Sequence, residues 1–89
     1  KKPIAAMCIA PVLLANVLKG ITITLGDDNC GPAKDVLLMG ACHEATNNGG
    51  VTIDLENKIF TTPCFMLDAT LKDIYADAYN MIEAYAKAL

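Results

Sequence analysis

Ile4-Ala5-Ala6-Met7-Cys8-Ile9-Ala10-Pro11 reads as a strand, a sharp turn and the opening of a helix. Ile4 to Met7 is an uninterrupted apolar run, the pattern of a strand buried on both faces. Pro11 suits a first helical turn, where its missing N–H would have no partner anyway. Val12 to Leu18 continue that helix, and Lys19-Gly20 ends it with a cation followed by glycine. Cys8 therefore stands at the corner between strand and helix. A strand apolar on both faces is expected in the centre of a sheet, with a neighbour on each side.

The rest of the chain extends this strand–helix pattern. Ile21-Thr22-Ile23-Thr24-Leu25 alternates at period two and reads as a second strand. Gly26-Asp27-Asp28-Asn29 ends it as a loop. Pro32 opens a helix through Val36, Leu37 and Leu38 that stops near Gly40, and Ala41-Cys42-His43 is a short extended segment. After the loop Thr46-Asn47-Asn48-Gly49-Gly50, the runs Val51–Asp54 and Ile59–Thr62 form a hairpin. Its turn is Glu56-Asn57-Lys58, with Asn57 suited to the left-handed conformation. Pro63 breaks the second strand. From Asp68, a plausible cap, the spacing of Leu71, Ile74, Tyr75, Ala78, Ile82 and Tyr85 gives one long amphipathic helix. On that reading Asp68, Asp73, Asp77 and Glu83 form its solvated face. Strand–helix–strand units of this kind imply a mostly parallel sheet with right-handed crossovers.

Composition narrows the function classes. The 89 residues suffice for one small domain and are 54% hydrophobic but only 6% aromatic, which suits helices packed on a sheet. Net charge is −3, and all seven basic residues are lysines. Without clustered cations, nucleic acid is not an expected partner. No apolar run reaches membrane-span length, and Lys1-Lys2 is a weak membrane anchor, so no membrane association is expected. No targeting segment is visible. The four cysteines, Cys8, Cys30, Cys42 and Cys64, form no C-x-x-C pair, and His43 is the lone histidine. Neither a zinc site nor a disulfide scaffold follows, and free thiols in a reducing compartment are expected.

Cys8 is the first candidate for chemistry. A strand-to-helix corner exposes a side chain above the edge of an α/β sheet, where open α/β folds bind ligands. N–H groups at the start of the helix, Ile9's among them, favour a thiolate and can hold an oxyanion. The competing reading is a small buried hydrophobe, the commoner fate of cysteine. His43 is the second candidate, as general base or orienting partner of Cys8, with Glu44 beside it to orient the ring. A surface or structural histidine is the competing reading. Cys64, after Pro63, reads as packing.

These same residues carry a family resemblance. Residues 2–11, Met39-Gly40-Ala41-Cys42-His43, and Asp54 to Pro63 with Phe65-Met66-Leu67 resemble the ElbB family. Its members are isoprenoid-biosynthesis or glyoxalase-like proteins of the PfpI and class I glutamine amidotransferase-like superfamily. The resemblance implies an α/β, flavodoxin-like three-layer sandwich with a mostly parallel sheet. This chain would be its C-terminal half, 1–89, with a β-hairpin and a long C-terminal helix. It implies that Cys8 is the elbow nucleophile, with His43 placed near it and the Ile9 N–H on the oxyanion side. It further implies attack on a small reactive carbonyl such as glyoxal, giving a 2-hydroxy acid without glutathione, cofactor or metal. Relatives carry an acidic residue and a glycine-rich loop in an N-terminal half, so that half is an expected partner and the chain alone an expected inactive one. Cys64 stands where relatives commonly have alanine.

The alternative function is a non-enzymatic redox-sensing or binding protein that uses the same cysteine. A glutaminase does not fit, because His43-Glu44-Ala45 lacks the histidine and glutamate two residues apart that class I glutaminases carry. A homo-oligomer is expected, with a cytoplasmic location, or alternatively a mitochondrial one.

Overall fold

The computed structural model describes residues 2–89; the Lys1 half of the Lys1-Lys2 pair lies outside them. The elements follow one another as β1 (Ile4–Met7), α1 (Pro11–Val17), β2 (Thr22–Ile23), α2 (Gly31–Leu38), β3 (Cys42–His43), β4 (Thr52–Asp54), β5 (Ile59–Thr62), a 3-10 turn (Cys64–Met66) and α3 (Leu71–Lys87). This is an α/β fold. The strands form two ladders, β1-β5-β4 and β2-β3. β1 runs parallel to β5, β2 runs parallel to β3, and only the β4–β5 hairpin is antiparallel.

Side-chain alternation along β5 separates the layers. Ile59 joins the core of Ala15, Ile21, Ile23, Leu25, Val36 and Ala41, which seats α1 and α2. Phe60, pointing to the opposite face, meets Tyr85 of α3 edge-on at 5.8 Å. The sheet thus lies between α1 and α2 on one side and α3 on the other.

The central strand is β5, not β1. β5 is buried along its whole length and has a ladder on each side, whereas β1 is paired only with β5 among the described residues. An apolar run on both faces marks burial by helices, but it does not count neighbours along the sheet. β2 is shorter than its alternation suggests. Side chains take over its free edge: the Thr22 N–H donates to Asp54 Oδ2 at 2.8 Å and the Thr24 N–H to Thr61 Oγ1 at 3.0 Å. These bonds tie the β2–β3 ladder to the hairpin without backbone pairing.

Three local expectations are corrected. The left-handed residue of the hairpin turn is Lys58, at φ 57°, not Asn57. Asn57 instead donates its N–H and its side-chain amide to the Asp54 carboxylate, at 3.1 and 3.0 Å, and this fixes the turn. The cap of α3 is Thr70, not Asp68: its hydroxyl accepts the Asp73 N–H while Asp73 accepts the Thr70 N–H, a capping box. The helix also buries a different face. Asp77 and Met81 are buried, whereas Leu71, Tyr75 and Ile82 are more than half exposed.

Candidate functional site

Cys8 follows β1 directly, and its N–H donates to the Thr62 carbonyl at 3.0 Å, one step past the β1–β5 ladder. Its φ is 63°, in the left-handed region. L-residues avoid this region because Cβ crowds the backbone, at a cost of about 1–2 kcal/mol. The corner is closed by the Ala10 N–H, which donates to the Met7 carbonyl at 3.1 Å, and α1 begins at Pro11. The Ala10 donor is thus used and Pro11 has none. The Ile9 N–H makes no hydrogen bond among the described residues. The half-buried Cys8 thiol therefore sits on a strained corner beside one spare backbone donor.

His43 is held elsewhere. Its side chain is only 1% exposed. Nε2 accepts the Leu25 N–H at 2.9 Å, and Nδ1 lies 2.7 Å from Asp28 Oδ1. Because Nε2 accepts, Nδ1 carries the proton and donates it to Asp28. Both nitrogens are occupied, and no hydrogen bond joins His43 to Cys8. This arrangement does not offer His43 as the base for Cys8. Asp28, not Glu44, orients the ring; Glu44 accepts from the Thr52 hydroxyl at 2.9 Å, on the other side of the strand.

The neighbours of Cys8 come instead from the end of β5 and from α3. Cys64, 3% exposed, opens the 3-10 turn and is itself left-handed, at φ 48°. Burial pushes its thiol above the usual range, and the charges that Asp77 and Cys8 carry when ionised push it further; a backbone hydrogen bond from Cys8 partly offsets them. Asp77 is fully buried, accepts the Gly49 N–H through Oδ1, and leaves Oδ2 without a partner among the described residues. It is not on the solvated face of α3. Sequence reading missed Asp77 because it sits among acidic helix positions. The signal that could have found it is Met81, four residues on and therefore on the same face.

The remaining polar residues near the sheet are structural. Thr24 and Thr46 share a hydroxyl–hydroxyl bond of 2.7 Å, and Thr62 Oγ1 donates to the Gly50 carbonyl at 2.7 Å. Beyond β2, a cavity of about 370 Å³ is lined by Gly26, Asp27, Ala45, Thr46, Asn47 and Leu67. Gly26, at φ 97°, is required there: a Cβ would come within 2.8 Å of Leu67. All four cysteines are free thiols. Among the described residues no cluster of three metal-ligating side chains occurs, and no helix is long and apolar enough to cross a membrane.

No family model matches the chain. The ES1 protein homolog, mitochondrial, of Rattus norvegicus is 39% identical to it over 91 residues, which take in 93% of this chain and 34% of that protein. The glutamine amidotransferase-like class 1 domain-containing protein 3, mitochondrial, of Homo sapiens is 37% identical over 82 residues, 83% of this chain and 31% of that protein. The chain spans about a third of the length of these curated relatives. Among solved structures, an isoprenoid biosynthesis protein with amidotransferase-like domain from Ehrlichia chaffeensis superposes with a TM-score of 0.86 at 26% identity. That match covers 99% of this chain and 40% of the other.

Proposed function

We propose that this chain, which has the fold of an amidotransferase-like protein of the ElbB kind, works through Cys8 as a nucleophile toward small reactive carbonyl compounds such as glyoxal. The observation that carries the reading is the left-handed Cys8 on the β1–α1 corner, beside the unbonded Ile9 N–H. Backbone strain held at one reactive side chain is a functional signature, because packing alone gives no reason to keep it. The thiolate adds to one aldehyde carbon, and the Ile9 N–H donates to the resulting oxyanion. Proton transfer between the two carbons turns the hemithioacetal into a thioester of a 2-hydroxy acid. Water then releases the acid and restores the thiol. One carbon is oxidised and the other reduced, so no outside oxidant or reductant is consumed.

The proton-transfer group is not His43 in this arrangement. His43 acts as a positioning residue that fixes the β2–loop junction through Leu25 and Asp28. The proposal assigns the missing acid–base group, and a second part of the oxyanion site, to an N-terminal half of the same domain. The 1–89 stretch alone is then inactive. A mitochondrial location is favoured over the cytoplasmic one, since both curated relatives are mitochondrial by name; cell fractionation tests it. A homo-oligomer remains part of the proposal, tested by sedimentation of the full-length protein.

The test of the chemistry is glyoxal turnover by the full-length protein and its Cys8→Ala variant. Removal of the nucleophile should lower the rate by at least about 10³-fold. Equal rates would exclude Cys8. A second reading, thiol redox chemistry at the same residue, is favoured by one specific observation, the presence of Cys64 beside Cys8.

A further inference from the structure

Among the described residues three non-glycine residues adopt the left-handed conformation, and two of them are Cys8 and Cys64. They follow the ends of the adjacent parallel strands β1 and β5. The register pairs Met7 with Thr62, so Cys8 falls level with Pro63 and Cys64 lies one residue farther along. The Cys8 N–H bond to the Thr62 carbonyl holds the two chain ends together at this point. The Cys8 backbone also reaches the Cys64 thiol with a hydrogen bond, which places that thiol beside Cys8.

We propose that Cys8 and Cys64 form a dithiol–disulfide centre in which Cys64 resolves Cys8 after its oxidation by a hydroperoxide. The proposal shares with the preceding section only the reactivity of Cys8, not the carbonyl chemistry. The Cys8 thiolate attacks one peroxide oxygen, the O–O bond breaks, and hydroxide or alkoxide leaves; sulfur is oxidised to sulfenic acid and the peroxide is reduced. Cys64 sulfur then attacks Cys8 sulfur. The S–O bond breaks, and the hydroxide that leaves takes up the Cys64 proton as water. In sum, two thiols and one hydroperoxide give one disulfide and two hydroxyl products.

The burial of Cys64 sets its partner. At 3% exposure it cannot meet a thiol on another molecule, whereas Cys8 lies beside it and is half-buried. Cys30, at the start of α2, and Cys42, on β3, end no strand next to β1. Asp77, buried with Oδ2 unpartnered, places a proton acceptor in the neighbourhood of the Cys64 thiol. Oxidised Cys8 would thus be captured before a second oxidation makes it irreversible.

The test treats the reduced full-length protein with one equivalent of hydrogen peroxide, blocks remaining thiols and maps the peptides. The wild type should give a Cys8–Cys64 link that dithiothreitol reverses. Cys64→Ala should instead accumulate a dimedone-trappable Cys8 sulfenic acid and then sulfinic acid. If Cys8 in the wild type passes to sulfinic acid without a link, as in the variant, the pair is refuted while the reactivity of Cys8 stands. A link from Cys8 to Cys30 or Cys42 refutes it too. If Cys8 resists peroxide and dimedone in both proteins, the pair and the nucleophile reading fall together.

Discussion

At Cys8 the backbone carries a cost that its side chain must justify. Replacing it by alanine removes the thiol but keeps Cβ, and with it the strain of φ 63°. Replacing it by glycine removes both. Cys8→Gly should therefore be more stable than Cys8→Ala by about 1 kcal/mol, measured by urea denaturation. If Cys8→Gly is the less stable of the two, the corner is unstrained and the case for a functional cysteine weakens. The position of Cys8 was legible in the sequence, because an apolar run, a cysteine and a helix-opening proline fall in order within Ile4–Pro11. Its neighbours were not. Cys64 and Asp77 lie 56 and 69 residues further along the chain, and they reach it only through the β1–β5 register and the packing of α3. His43 was found as general base or orienting partner, but the Leu25 N–H and Asp28 that meet its nitrogens come from the segment after β2 and had no local signal.

Among the elements, α3 shows where periodicity succeeds and where it fails. Helical spacing identified the helix, but it could not say which side is buried. Apolar residues lie on more than one face, and the buried stripe runs through Asp77 and Met81 while Tyr75 and Tyr79 stack on the outside, 6.1 Å apart. The start of the helix depends on a reciprocal bond pair that the sequence does carry, Thr70 with Asp73 three residues on. Thr70→Ala should lower stability by about 1 kcal/mol in thermal or chemical denaturation, while Asp68→Ala stays within about 0.5 kcal/mol. The reverse order would restore Asp68 as the cap. The hairpin is a parallel case. Its Asp54 and Asn57 stand in the most recognisable stretch of the chain, and there Asp54 accepts from Asn57 in the turn and from the Thr22 N–H.

Across the whole molecule, the α/β class and the mostly parallel sheet follow from the order of strand and helix segments. The split into two ladders does not. It arises because the N–H groups of Thr22 and Thr24 are taken by the side chains of Asp54 and Thr61, a long-range exchange with no local signature. The four thiols differ in exposure. Cys42 is exposed, Cys8 and Cys30 are intermediate, and Cys64 is buried. The most direct test is residue-resolved alkylation of the native full-length protein by iodoacetamide, followed by peptide mapping. If the strained corner activates Cys8, it reacts first, ahead of the more exposed Cys42, with Cys64 last. If Cys42 reacts first and Cys8 follows at the pace of Cys30, exposure alone governs the thiols and Cys8 is not the nucleophile.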